Sequence, residues 1–380
     1  MANTLNKLMP ELYAALDIVS REMVGFIPAV AVNAAPTGAA KGESITIPVT
    51  PTTETHDITP GQNPDDNGDQ EIGSVTMTIS KSKYASVRWS GEEQLGVSNS
   101  GTYNAILAGQ FAQAMRALAN EVDADLAALY AGASRAYGTP GTTPFESSIK
   151  DVAQMRKILA DNGAPMTDLQ LVIDTAAGAN LRSLGQLTKA NEADTDATLR
   201  RGLLLNISGF NIRESGQIVT HAAGSFTGDA LVNNSDGYAK GATTIAVDGA
   251  TAIALKAGDL VKFNGDNVNY VVASDASATP ITLAAPGLRG AVANDATVTA
   301  LGSYAASLAF DRNALQLIAR TPAMPQGGDR ADDVTVVTDP VSGISFQVAV
   351  YREYRQVRYE IGLAWGVKLI KPEHVAILMG

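Results

Sequence analysis

With 380 residues the chain is long enough to bury a sizeable core and to divide into two or three structural units. Its 28 Lys and Arg stand against 39 Asp and Glu, a net charge of −11 that argues against a nucleic-acid-binding module as its main role. There is no cysteine, which excludes disulfides and thiol chemistry, and only 18% of residues are charged, a low share that suits a surface partly covered by partners.

Residues 1–40 read as an arm. Leu5, Leu8, Leu12, Leu16 and Val19 make a helical stripe, and the apolar run that follows breaks at Pro28 and Pro36. This opening is amphipathic, without the basic start and apolar block of a signal peptide. It is too short to cross a membrane, and no other stretch reaches that length, so a protein surface has to cover it, its own or a neighbour's.

Residues 41–90 read as a hairpin with a long polar tip. Ile45, Ile47 and Val49 alternate with Ser44, Thr46 and Pro48; Val75, Met77 and Ile79 alternate with polar residues, and the same parity reaches Val87 and Trp89. A ribbon of this kind has little core of its own and is expected to lie on another subunit.

The next stretch, residues 102–131, predicts a helix of roughly 45 Å. Tyr103, Leu107, Phe111, Met115, Leu118, Val122, Leu126, Leu129 and Tyr130 keep to one stripe, while Ser98, Asn99 and Ser100 offer caps and Gly132 a stop. It reads as a strut for the rest of the chain. Residues 148–162 predict a second amphipathic helix, and Leu169–Ile173 a buried strand. Short helices, an acidic loop near residues 191–196 and a strand at 209–212 follow.

From 224 to 302 the pattern changes to short β runs between turn signals such as Asp248-Gly249, Gly258-Asp259 and Gly265-Asp266. That spacing predicts a small antiparallel β-barrel or sandwich inserted into the chain. Near the end, Val357, Tyr359, Ile361, Leu363, Trp365, Val367 and Leu369 hold one parity. Gly362, Ala364 and Gly366 on the other face leave room for close approach, and the long helix is the expected neighbour.

Sites for chemistry are not evident. No motif for a serine nucleophile elbow, phosphate loop, zinc helix or dinucleotide fold occurs. His56, His221 and His374 lie far apart and read as surface or loop histidines. Asp65, Asp66, Asn67, Gly68, Asp69 and Glu71 lack the ligand spacing of a calcium loop and read as a solvated tip. Lys81 and Lys83 share the parity of the hairpin's apolar residues, which means the strand leaves cover there or pairs with a neighbour, covalent linkage being the remotest option. Arg352, Arg355 and Arg358 read as a solvated face or as subunit salt bridges. Catalytic, cofactor-binding and metal-ligating residues are therefore all expected to be none, and no cofactor is expected.

Three segments carry a resemblance. SYAASLAFDRNALQLIARTP (303–322), the ending YREYRQVRYEIGLAWGVKLIKPEHVAILMG (351–380) and KGATTIAVDGATAIALKAGDLVKFNGDNVNYVV (240–272) resemble, in that order of elements, the major capsid proteins of tailed bacteriophages. The fold implied is the α+β Hong Kong 97-type fold with an inserted small antiparallel β-barrel, as in the P-twenty-two-like coat proteins. On this resemblance 1–40 is the N-terminal arm, 41–90 the E-loop and 91–165 the P domain with its spine helix. Residues 166–223 and 303–334 make the A domain, 224–302 the inserted β domain, and 335–380 the return strands of the P domain.

The function implied is a non-enzymatic coat protein that self-assembles into hexamers and pentamers of an icosahedral head enclosing double-stranded DNA. Its partners would be itself, a separate scaffolding protein, a portal and, on some shells, a decoration protein. DNA would be touched only non-specifically, no membrane would be involved, and the shell would be built in the host bacterial cytoplasm and end as the virion capsid. The acidic catalyst and partner Asn of the family's cross-link have no match here. Two alternatives stay open: another virion component of tail or decoration type, and an enzyme with a carbohydrate-binding-like β insertion.

Overall fold

The stripe of the long helix decides where the core forms. The computed structural model describes residues 9–22, 25–49, 60–61, 72–98, 103–188, 206–328, 330–340 and 342–380, and its longest helix is Tyr103–Ala127. Leu107, Phe111, Met115, Leu118, Val122 and Leu126 recur at steps of three and four, and all are buried. The helix is shorter than residues 102–131. It tightens into a 3-10 turn, Ala128–Gly132, that carries Leu129 and Tyr130 half-buried. Gly132 is there for space rather than for a left-handed stop: a Cβ on it would meet Leu369 Cδ2 at 2.5 Å. Asn99 and Ser100, offered as caps, lie outside the described residues, and Ser98 closes a preceding helix, Gly91–Ser98. That short helix opens with a capping box. The Ser90 N–H donates to Glu93 Oε2 at 2.8 Å and the Glu93 N–H to Ser90 Oγ at 3.3 Å.

Against the long helix lies a six-stranded sheet built around the strand Gln356–Leu369. Along one edge it pairs with Lys81–Ser90; along the other it takes Ser345–Glu353 and then Leu315–Pro322. Tyr359, Ile361, Leu363 and Trp365 join the helix in one core, with the Phe111 and Tyr359 rings edge to face at 5.5 Å. The opposite, small-residue face does not receive the helix, contrary to expectation. It receives the end of the hairpin: a Cβ on Gly366 would meet the Thr78 carbonyl oxygen at 2.1 Å, and one on Gly362 would meet Pro322 Cγ at 2.9 Å. Met77, Ile79, Ala39, Ile318 and Ala364 form a small core of their own there.

The hairpin itself is Ser44–Val49 against Gly73–Thr78, with Ile45 opposite Met77 and Ile47 opposite Val75. Lys81–Ser90 is not part of it, as the 41–90 reading had it, because that strand peels away to edge the six-stranded sheet. The arm is covered by its own chain. Helix Met9–Glu22 buries Leu12, Ala15, Leu16 and Val19 on the long helix, and strand Ala31–Ala39 runs parallel to Leu315–Pro322.

A second, larger sheet is centred on the last strand, Val375–Met379, flanked by Tyr304–Asp311 and by Arg135–Tyr137. Leu169–Ile173 and Phe210–Glu214 extend it on one side, and helix Lys150–Asp161 packs Val152, Met155 and Leu159 into a core shared with that region. On the other side Asn269–Val271 pairs with Arg135–Tyr137, and Leu260–Phe263 follows. Of the short strands between residues 225 and 300, Ala230–Val232, Val247–Asp248, Leu260–Phe263, Asn269–Val271 and Thr297–Ala300 therefore continue the main sheet, while Ser225–Thr227 with Ala252–Ala254 and Thr244–Ile245 with Ile281–Thr282 form separate pairs. They also gather a separate core of Val232, Ile245, Val261, Phe263, Tyr270 and Ile281. The short β runs predicted for the stretch as a whole are there, at Ser225–Thr227, Ala230–Val232, Thr244–Ile245, Val247–Asp248, Ala252–Ala254, Leu260–Phe263, Asn269–Val271, Ile281–Thr282 and Thr297–Ala300. The chain as a whole is a mixed α+β protein.

Candidate interaction surfaces

Polar groups gather at four places, and three of them tie elements together. The first is the pair of lysines at the hairpin's exit. Lys81 Nζ lies 2.7 Å from Asp125 Oδ1 and 3.1 Å from Glu121 Oε1, and Lys83 Nζ lies 2.5 Å from the same Glu121 oxygen. The Asp125 carboxylate raises the Lys81 ammonium above its ordinary range against the opposing effect of burial. Burial pushes Glu121 up, but the two lysines outweigh it and hold it below the usual carboxylate value. Trp365 Nε1 donates to the other Asp125 oxygen at 2.8 Å. Both lysines are thus paired within the chain, to the long helix.

A second node is Asp123, on the buried face of the same helix. Its Oδ1 accepts the Phe26 N–H at 2.6 Å and the Ile27 N–H at 3.2 Å, and its Oδ2 accepts the Ser215 hydroxyl. Burial raises its pKa, although all three hydrogen bonds favour the anion. Gly25 is required beside it, since a Cβ there would meet Asp123 Oδ2 at 2.5 Å.

The third node corrects the reading of the histidines as surface or loop residues. His221 is 4% exposed and His374 8%; His56 lies outside the described residues. His221 Nε2 is 2.7 Å from Asp259 Oδ1, and its Nδ1 is 2.8 Å from the Tyr130 hydroxyl. A carboxylate only accepts, so Nε2 carries the proton and Nδ1 takes the hydrogen bond that Tyr130 donates. Asp259 also accepts the Gly224 and Lys256 N–H groups, and Tyr304 donates to the Gly258 carbonyl at 2.6 Å. Carboxylate, imidazole and hydroxyl in series look like a proton relay, yet the chain of bonds is buried and ends on tyrosine rings packed edge-on. It fastens the 224–302 stretch to the end of the long helix.

The fourth place is the exposed end of the six-stranded sheet. Arg352 pairs with Asp332 at 2.6 Å and Arg358 with Glu353 and Glu360 at 3.3 and 3.2 Å, while Arg355 stands 3.9 Å from Glu92. An open groove of about 820 Å³ lies there between Trp89, Gly91 and the turn at Tyr354. Among the described residues, no group of three or more His, Asp or Glu could hold a metal, and no helix is long and apolar enough to cross a membrane. The acidic tip from Asp65 to Glu71 lies outside the described residues. In the sequence Tyr130 was read only as part of the helix stripe and Asp259 only as part of a turn, and the links among Asp123, Asp259, Tyr130 and Tyr304 were not legible, because a polar residue carries no sign of its distant partner.

No protein-family model matches the chain, and no curated protein matches it. Among solved structures it is similar to the capsid of the cyanophage P-SCSP1u, with 12% identity over 94% of this chain and 88% of that one and a TM-score of 0.45. It is similar to the virus-like particle from Pyrococcus furiosus, with 10% identity over 97% and 98% and a TM-score of 0.47. A third similarity is to the capsid of a native GTA particle, with 10% identity over 94% and 90% and a TM-score of 0.45.

Proposed function

We propose that this chain is a shell-forming structural protein, the major capsid protein of a tailed-phage-like head. The observation that carries this reading is the hairpin Ser44–Val49/Gly73–Thr78. Its strands alternate exposed and half-covered residues along their length, and only Met77, at the end nearest the body, is buried. A two-stranded ribbon is marginal in water, so its outer half calls for cover from another copy. The body behind it is a strut helix on a sheet, with polar nodes that join its elements to one another.

On this reading 1–40 is the arm, 41–90 the E-loop, 91–165 with 335–380 the P domain, and 166–223 with 303–334 the A domain. Residues 224–302 are the inserted β domain of a Hong Kong 97-type fold. Copies join as hexamers and pentamers, each contact weak and the sum large. A scaffolding protein, a portal and a decoration protein are partners of the same proposal, as is assembly in the host cytoplasm. The net charge of −11 suits a shell that encloses DNA without binding it tightly. Size-exclusion chromatography of the purified chain tests the proposal. Elution in the void volume as regular particles supports it, and a stable monomer at all concentrations, alone or with a co-expressed scaffolding protein, counts against it.

A further inference from the structure

The exposed end of the six-stranded sheet carries a knob beside a hole. Strands Ser345–Glu353 and Gln356–Leu369 are joined by a two-residue turn, Tyr354 and Arg355. Tyr354 is 90% exposed, more than any other large hydrophobic side chain among the described residues. Arg355 sits at φ +57, in the left-handed region that tight hairpins ordinarily give to Gly, Asn or Asp. A turn selected for stability alone would carry Gly at that second position. This one accepts a strained backbone and holds two long side chains in solvent, which points to a use for them.

Next to the knob, the floor of the groove is Trp89, and it is rigid. Its Nε1 donates to Gln110 Oε1 at 2.9 Å, and its ring meets Tyr103 edge to face at 5.3 Å. The mouth is open at Gly91, where a Cβ would meet nothing within 4 Å. Charges at the rim are complementary and loosely held. The Glu92 side chain is 90% exposed and the Arg355 side chain 74%, and the two stand 3.9 Å apart, a pair that two copies could exchange.

We propose that this tip docks into the groove of a second copy of the chain. The Tyr354 ring lies on the neighbour's Trp89 floor, and the Arg355 guanidinium takes the neighbour's Glu92. Tip and groove adjoin on one chain, with Tyr354 and Arg355 themselves on the groove's rim, so each copy offers both halves of the contact to its neighbours. This inference rests on the shell reading and adds to it a specific contact.

The chain has no cysteine, so introduced thiols report cleanly. Chains carrying Tyr354→Cys and Gln94→Cys are mixed and oxidised, and each is also oxidised alone. The expected result is a disulfide-linked heterodimer that exceeds any homodimer of either variant. In parallel, Tyr354→Ala raises the concentration at which particles form by about tenfold or more, while Tyr354→Phe stays near the parent. Particles that form at the parental concentration from Tyr354→Ala, with no heterodimer in the mixture, overturn the contact and leave the shell reading standing. A parent chain that forms no particles at all sinks the shell reading, and the cross-link in solution still decides the contact.

Discussion

Single residues set the tolerances of this fold. Gly366 has the Thr78 carbonyl where a Cβ would go, at 2.1 Å, with the backbone of Thr78 and Ile79 closing the space. Gly366→Ala should therefore destabilise the chain by roughly 1–3 kcal/mol, the usual cost of overpacking, in urea unfolding of the unassembled protein. An unchanged midpoint would mean that the hairpin is not seated on that face. Asp123→Ala leaves two buried N–H groups and a hydroxyl without an acceptor and should cost roughly 2–4 kcal/mol, with Asp123→Asn milder because an amide oxygen still accepts. His374 gives a pH signature. Burial lowers its pKa, with Lys371 adding to that and Glu373 and Asp311 opposing. The unfolded chain then takes up a proton near the ordinary value of about 6.5, before the folded chain does, so this residue's contribution falls as pH drops through that value. Melting temperature should decline between about pH 7.5 and 5.5, and less steeply in His374→Gln. Equal slopes would contradict the buried placement. In the sequence Gly366 drew notice as part of a small-residue face, and His374 was read as a surface or loop histidine. The burial of Asp123 was not legible, because it follows from partners far along the chain, at Phe26, Ile27 and Ser215.

Elements were more legible than their neighbours. Period-two alternation from Val357 to Leu369 marked a strand with one bulky and one small face, and the strand is there at Gln356–Leu369. What alternation cannot say is which element fills each face: the helix took the bulky side, and the hairpin end and Pro322 took the small one. The stripe from Leu107 to Leu126 located the long helix because steps of three and four are unambiguous over that length. Its C-terminal turn was misjudged because a 3-10 turn continues nearly the same spacing. Lys81 and Lys83 share the parity of the apolar residues because their ammonium groups reach the acidic side of that helix, a contact invisible without the docking angle. The stretch 224–302 shows the same limit. Its turns and short strands were readable, but its continuity with the main sheet through Tyr270 and Arg135 was not. That continuity makes a prediction. Replacing 224–302 with a short linker exposes the Arg135–Tyr137 edge and uncovers Tyr130 and Tyr304, so the protein should become insoluble. Normal soluble yield would show that the stretch is dispensable for folding.

For the whole molecule, the argument turns on what is left uncovered once the core is complete. The arm helix is covered by its own chain, and the two sheets are filled. The outer hairpin, the Tyr354 turn and the groove beside Trp89 remain open. On the proposed reading these extended pieces are what copies of the chain complete. Negative-stain electron microscopy of the purified chain, alone and with a co-expressed scaffolding protein, tests this most directly. The account predicts closed shells or tubes of roughly tens of nanometres, built from repeated hexamers. A uniform field of small monomeric particles under both conditions would contradict it.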